Sequence, residues 1–303
     1  MRWWWGTMAL ALVALPAEGR LRSGDAIHLR LAGLDVAAWT PPGASVPEHG
    51  SPLIVFSHGF RGCDTQSAFL TAALAAAGYV VVAPNHRDAG CRAARGSWRP
   101  GARLRDRAAW RPEEPFRDPG KWSDATYRDR AADIRALLDA VLRDGTVAGV
   151  RVDPSRIGIA GHSLGGYTAL GVGGAWPSWR DGRIRAVLAL SPYAQPFLAG
   201  GGLAGLKVPV MYQGGTRDIG ITPGVRKNAG AFDRTGGPKY YVEFEGTGHL
   251  GWTDLVDGHH DLMVRYALAF FDHVLRDRPE ATLEEKLPGV SDLRADPGGP
   301  SSR

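Results

Sequence analysis

The chain has 303 residues, 44% of them hydrophobic and 22% charged, a balance that suits an ordinary globular protein with a substantial core. Its formal net charge is +5, but the bases are spread through the chain. With no aromatic-interleaved basic module and no zinc-finger spacing, nucleic acid is not the expected partner.

Residues 1–20 hold one early Arg and a short apolar run from Met8 to Ala17, the pattern of a secretory signal and too short to span a bilayer. Export to a secreted or periplasmic location is therefore expected; otherwise the chain is cytoplasmic, with an apolar arm at its start. A domain over 21–280 begins with Ile27–Leu31 and Leu34–Thr40, which alternate as a strand hairpin. Leu53–Phe56 is a continuous apolar run of the kind buried on both faces of a parallel sheet. A helix around Phe69, Leu70, Ala73 and Leu74, stopped by Gly78, leads to a second buried strand at Tyr79–Ala83. Residues 92–121 break this pattern with eight Arg, two Trp and several Pro before Lys121, as expected of a lid or a solvated connecting loop.

Helix is expected again from an N-cap at Ser123 to about Leu142. Further strands are expected at Arg156–Ala160, Ile184–Leu190, Val208–Gln213 and Tyr240–Phe244, and a last helix from near His259. The tail, 281–303, reads as disordered because it is rich in Gly, Pro, Ser and Asp. Strands alternating with helices predict a single α/β domain with a mostly parallel sheet, helices on both faces and an antiparallel N-terminal start. In such folds, ligands bind beyond the C-terminal strand ends.

Chemistry concentrates at those ends. Gly161-His162-Ser163-Leu164-Gly165 follows a strand and opens a helix, so it reads as a strained turn that exposes the Ser163 hydroxyl. A serine is a weak nucleophile until a base, an orienting acid and an oxyanion hole assist it. Of nine histidines, His249 alone stands in a small Gly-flanked loop after the last strand. His28 and His49 are poorly placed, His58 and His162 are expected to shape glycine turns, and His86 could line the pocket. His259 and His260 open a helix in divergent directions, so no metal site is expected. For the acid, Asp181, Asp233, Glu243 and Glu245 lie in a turn, a helix-like stretch and a strand, whereas Asp218 follows a buried strand directly. The N–H groups of Leu164 and Phe60 are the expected oxyanion donors, with Arg61 the neighbouring candidate for the second, and Phe60 and Tyr193 the expected substrate-binding side chains, with Phe197 also a pocket candidate.

The two cysteines, Cys63 and Cys91, each follow a strand end. Adjacent parallel strands bring such loops together, so the thiols could form a bridge if the chain is exported; two free buried thiols are the alternative. On the chain-entropy model the bridge would contribute roughly 3 kcal/mol.

In their order and context these segments resemble the α/β-hydrolase superfamily over roughly residues 27–276. Within it, Phe56-Ser57-His58-Gly59-Phe60 and Gly161-His162-Ser163-Leu164-Gly165-Gly166 resemble the bacterial branch near platelet-activating-factor acetylhydrolases. That branch is similar to dienelactone hydrolases and cutinase-like polyester hydrolases. The resemblance implies a cofactor-free serine esterase with Ser163, Asp218 and His249 as its triad. Dienelactone hydrolases proper carry Cys where this chain has Ser163. A monomer acting on a small-molecule or lipid-like ester is expected, with no stable membrane span. The alternatives are a thioesterase or peptidase on the same triad, or a non-catalytic relative that binds apolar ligands.

Overall fold

The computed structural model describes residues 26–42, 47–90, 111–256, 258–279 and 281–298. The hairpin expected at the start forms as β1 (Ile27–Leu31) and β2 (Leu34–Trp39). Next come β3 (Ser51–Ser57), α1 (Ala68–Ala76) and β4 (Val80–Pro84), then α2 (Arg128–Asp144), β5 (Thr146–Val147), β6 (Val150–His162) and α3 (Leu164–Leu170). The remainder comprises β7 (Ile184–Leu190), α4 (Gln195–Gly200), β8 (Val210–Gly215), α5 (Thr222–Arg226), α6 (Ala231–Arg234), β9 (Lys239–Phe244), α7 (His260–Arg276) and β10 (Val290–Asp296). The sheet order is β1-β2-β4-β3-β6-β7-β8-β9-β10, with β5 paired to β6 as a short hairpin. From β4 to β9 all neighbours are parallel, and the antiparallel pairs lie at the two edges.

Alternation along the central strands divides the core into two layers. Leu53 and Val55 of β3 face Ile134, Leu137 and Leu138 of α2 and Leu170 of α3 on one side. Ile54 and Phe56 face Leu70 and Leu74 of α1 and Phe270 and Phe271 of α7 on the other. Because both faces are covered, these strands read as unbroken apolar runs, and their polar C-terminal ends are left to carry the site.

Two expectations are corrected. The helix expected from Ser123 begins only at Arg128. Ser123 and Thr126 cap a turn instead: Ser123 Oγ accepts the Ala125 N–H and Thr126 Oγ1 the Ser123 N–H. Tyr127, at φ 60°, then redirects the chain, and the Glu113 carboxylate accepts its N–H. The C-terminal tail is not wholly irregular, since Val290–Asp296 pairs antiparallel with β9 as the last strand. Backbone pairing with an open sheet edge offsets its poor composition, and buried Val290 anchors it. The expected leader, and residues 92–110 of the expected insertion, lie outside the described residues.

Candidate active site

β6 delivers its last residue straight into the turn at Ser163, which stands at φ 55° and ψ −114° just before α3. A non-glycine residue in that region is strained, and the strain is held by the flanking backbone. The Ser163 N–H donates to the Leu190 carbonyl at 3.0 Å, and its carbonyl accepts from Tyr193 N–H at 3.0 Å. The glycines of the motif are dictated by contact. A Cβ on Gly165 would lie 1.9 Å from the Ser57 carbonyl oxygen, and one on Gly161 2.2 Å from the Gly165 carbonyl oxygen. No side chain fits at either position.

His249 begins a short 3₁₀ turn, His249–Trp252, after β9 and aims its ring back across the strand ends. Its Nε2 lies 2.9 Å from Ser163 Oγ. Its Nδ1 lies 3.3 Å from Asp218 Oδ1 and 2.8 Å from Ser191 Oγ. Ser191, at the end of β7, donates in turn to the other Asp218 oxygen, which also accepts from Thr222 Oγ1 at 3.0 Å. Burial alone would raise the Asp218 carboxyl, but His249 and the two hydroxyls hold it below the usual carboxylate range. The carboxylate and the Ser191 hydroxyl are thus placed to accept a hydrogen bond from Nδ1–H, which leaves the Nε2 lone pair free to take a proton from a hydroxyl.

These groups sit in a cleft of about 830 Å³. Phe60, Phe116 and Tyr193 form an aromatic wall, with Phe116 edge-on to both Phe60 (5.5 Å) and Tyr193 (5.0 Å). Tyr193 fixes the wall by donating its hydroxyl to the Phe116 carbonyl at 2.7 Å. Ile219, 85% exposed, and Leu250 extend the apolar rim, while Arg117 and Arg217 add positive charge. Leu164 opens α3, so its N–H has no acceptor within the helix. The Phe60 N–H makes no hydrogen bond among the described residues. Both expected oxyanion donors are therefore available to a ligand. Phe197, in contrast, is fully buried and stacks on Tyr167 away from the cleft.

A model of the alpha/beta hydrolase family matches residues 54–298. The chain belongs to that family. It is also similar to the solved structure of a ferulic acid esterase from Streptomyces cinnamoneus, with a TM-score of 0.60 and 23% identity. That match covers 86% of this chain and 88% of the other, and it shows a shared fold. No curated protein matches.

The hydrolase holds its Phe60 loop from below through a buried charge that sequence reading passed over. Arg130 of α2 is fully buried and grips Asp88 with two prongs, Nε to Oδ1 at 3.0 Å and Nη2 to Oδ2 at 2.8 Å. Burial would raise the Asp88 carboxyl, yet the guanidinium holds it far below its usual range. The same guanidinium donates to the His58 carbonyl at 2.8 Å and the Gly59 carbonyl at 3.4 Å. Gly59 O also accepts from His58 Nδ1 at 2.7 Å and Gly62 N–H at 2.9 Å. In a trans peptide the C=O and the following N–H point in opposite directions, so gripping Gly59 O aims the Phe60 N–H. A signal existed: Arg130 shares the apolar stripe of α2 with Ile134, Leu137 and Leu138, where a charge is out of place.

Below the same loop, Ser57 Oγ lies 2.9 Å from His86 Nε2, and His86 Nδ1 2.9 Å from Asp133 Oδ2. This repeats the Ser–His–Asp order, but Ser57 is fully buried and no substrate can reach it. His86, expected near the pocket, supports the loop instead. Burial, reinforced by Arg130, lowers its pKa and that of His58 well below the ordinary value, so both rings stay neutral. Among the described residues no three His, Cys, Asp or Glu converge as a metal site, and no helix is long and apolar enough to cross a membrane. Cys63 is buried beside Thr65, whereas Cys91 lies outside the described residues.

Proposed function

We propose that this hydrolase is a serine-dependent carboxylic ester hydrolase. The observation that carries the reading is the 2.9 Å contact of Ser163 Oγ with His249 Nε2 at the floor of an aromatic cleft, with Asp218 and Ser191 behind the imidazole. In this mechanism His249 takes the Ser163 proton as Oγ attacks the ester carbonyl, and Asp218 stabilises the imidazolium that forms. The N–H groups of Leu164 and Phe60 bind the oxyanion, each contributing about 3 kcal/mol to the transition state. His249 then protonates the departing alcohol. Water, deprotonated by the same imidazole, attacks the acyl-enzyme and releases the acid with Ser163 restored.

The wall of Phe60, Phe116 and Tyr193 fits a flat or apolar acyl group, and the similar solved structure is named for an ester of an aromatic acid. The sequence motifs that resemble the acetylhydrolase-like and cutinase-like branch support small or polymeric esters as alternatives. A chain-length panel of aryl esters, with a polyester film alongside, tests substrate class on wild type and Ser163→Ala. A sharp acetyl preference supports the acetylhydrolase-like reading, and soluble product from the film supports the polyesterase one. Ordinary ester turnover by Ser163→Ala would sink the assignment.

The same proposal has the enzyme exported through residues 1–20, acting as a monomer on small or lipid-like esters, with Cys63 bridged to Cys91. The Gly90 N–H donates to the Gly62 carbonyl at 2.8 Å, which sets the residues before the two cysteines side by side and supports the bridge. Peptide mapping without reductant should recover the two cysteines in one linked pair; alkylation of both in the unreduced protein would contradict it.

A further inference from the structure

The residue before the nucleophile, His162, is buried between the two loops the mechanism depends on. Its Nε2 lies 2.8 Å from the backbone carbonyl of His249, and its Nδ1 3.0 Å from Gln66 Nε2. A carbonyl only accepts, so Nε2 carries the proton, and Nδ1 must then accept from the Gln66 amide. That choice turns the Gln66 oxygen toward the Gly59 N–H, which it accepts at 3.0 Å. The polarity of each bond dictates the next, and one unbroken chain runs from Gly59 through Gln66 and His162 to His249.

The surroundings are built around this chain. A Cβ on Gly62 would lie 2.0 Å from Gln66 Oε1, so only glycine leaves the amide its place. Trp252 lies nearly parallel to the His162 ring, with centroids 6.2 Å apart and planes at 22°. Burial, followed by the neighbouring His249, lowers the His162 pKa to about 3, so the ring stays neutral and its two hydrogen bonds fix the tautomer. Gln66 and His162 line the cleft, and the His162 ring lies 4.9 Å from that of His249, but none of the hydrogen bonds above ends on a reacting atom.

We propose that Gln66 and His162 are positioning residues that hold the Phe60 oxyanion donor and the His249 base in register across the cleft. The inference rests on the serine-esterase reading. His249 stands in a short turn after a loop that contains Gly246 and Gly248, and only its backbone can be tied without constraining the ring that moves the proton. The Phe60 loop is irregular as well. Tying each loop to the residue next to Ser163 refers both to the rigid end of β6, and catalytic geometry tolerates errors of only about 0.5 Å.

The test uses the full-length protein and para-nitrophenyl acetate. His162→Phe keeps a ring but loses both polar edges, and Gln66→Met keeps the length but loses the amide. Each should lower kcat by about 10- to 100-fold with KM changed by less than about threefold, the signature of misplaced groups rather than lost binding. The double variant should be about as slow as the slower single one, because either change cuts the same chain. His162→Gln, which offers one acceptor and one donor, should recover most of the rate. Either single variant within about twofold of wild-type kcat, losses that multiply in the double variant, or no recovery in His162→Gln would overturn the proposal. If His162→Phe does not fold, Gln66→Met and His162→Gln decide by the same criteria. A wild type without Ser163-dependent turnover defeats the esterase reading itself, whereas a fully active Gln66→Met defeats only the positioning role.

Discussion

The Ser191 hydroxyl stands between His249 and Asp218: it lies 2.8 Å from His249 Nδ1, closer than the nearest Asp218 oxygen at 3.3 Å, and donates to the other Asp218 oxygen. The imidazole is therefore oriented by a hydroxyl and a carboxylate together. Ser191→Ala should lower kcat by about tenfold, against about 100-fold or more for loss of the His249 base itself. Steady-state kinetics on an aryl ester measures this, and an unchanged kcat would show that Asp218 orients the ring alone.

Arg130 should matter twice. Arg130→Met strips the largely buried Asp88 carboxylate of its guanidinium, at a cost of about 3 kcal/mol, read as a lower urea midpoint. Activity should fall further than stability explains, because the Gly59 carbonyl loses a donor. The double change Arg130→Met with Asp88→Leu should regain much of the stability and little of the activity.

Stability should fall as the pH drops from 7 to 5. His58 and His86 are held well below the ordinary histidine value, chiefly by burial, and His162 is lowered to about 3. Unfolding lets all three bind protons once the pH passes below their ordinary value, so the stability they contribute is lost there. Asp64, Asp133 and Asp254 work in the opposite sense: burial raises all three, the first two to about 6, so the folded chain holds protons that the unfolded one has released. In the unfolded chain the three imidazoles take up protons across this whole window, from higher pH than the carboxyls do in the folded one, which leaves a modest net loss; it steepens below the ordinary carboxylate range as Asp88 and Asp218 are forced to protonate. Thermal melts across this range check the slope, and Asp133→Asn, by removing a compensating group, should make it steeper.

The aromatic wall should set acyl preference. Phe116→Ala removes the ring that packs on both Phe60 and Tyr193, so kcat/KM for a benzoyl ester should fall by about tenfold. The acetyl ester should change little, and an equal loss for both esters would mean that the ring only supports the fold.

Ser163, His249 and Asp218 could be read from the chain because each carries a strong local signal: a glycine-flanked turn, a small loop after a strand, a polar residue directly beyond an apolar run. The buried strands were equally plain, since Leu53–Phe56 and Tyr79–Ala83 have no polar position to mislead. Ser191 and Gln66 carry no such mark, and Arg130 only that of a charge within an apolar stripe, because their partners Asp218, His162 and Asp88 lie 27 or more residues away and only the packed sheet ends bring them together. Helix propensity misplaced the start of α2, since Ser123 and Thr126 satisfy their own turn before Tyr127 redirects the backbone. Composition misjudged β10, whose pairing depends on the free edge of β9 and not on its own residues.

The central claim is that the Ser163 hydroxyl is activated by His249 for attack on an acyl carbon. A fluorophosphonate probe, mapped by peptide mass spectrometry, tests it most directly. One adduct on the peptide containing Ser163, absent from Ser163→Ala and strongly slowed in His249→Ala, is the expected result. A wild type that stays unlabelled while folded, or labelling that survives Ser163→Ala, would contradict it.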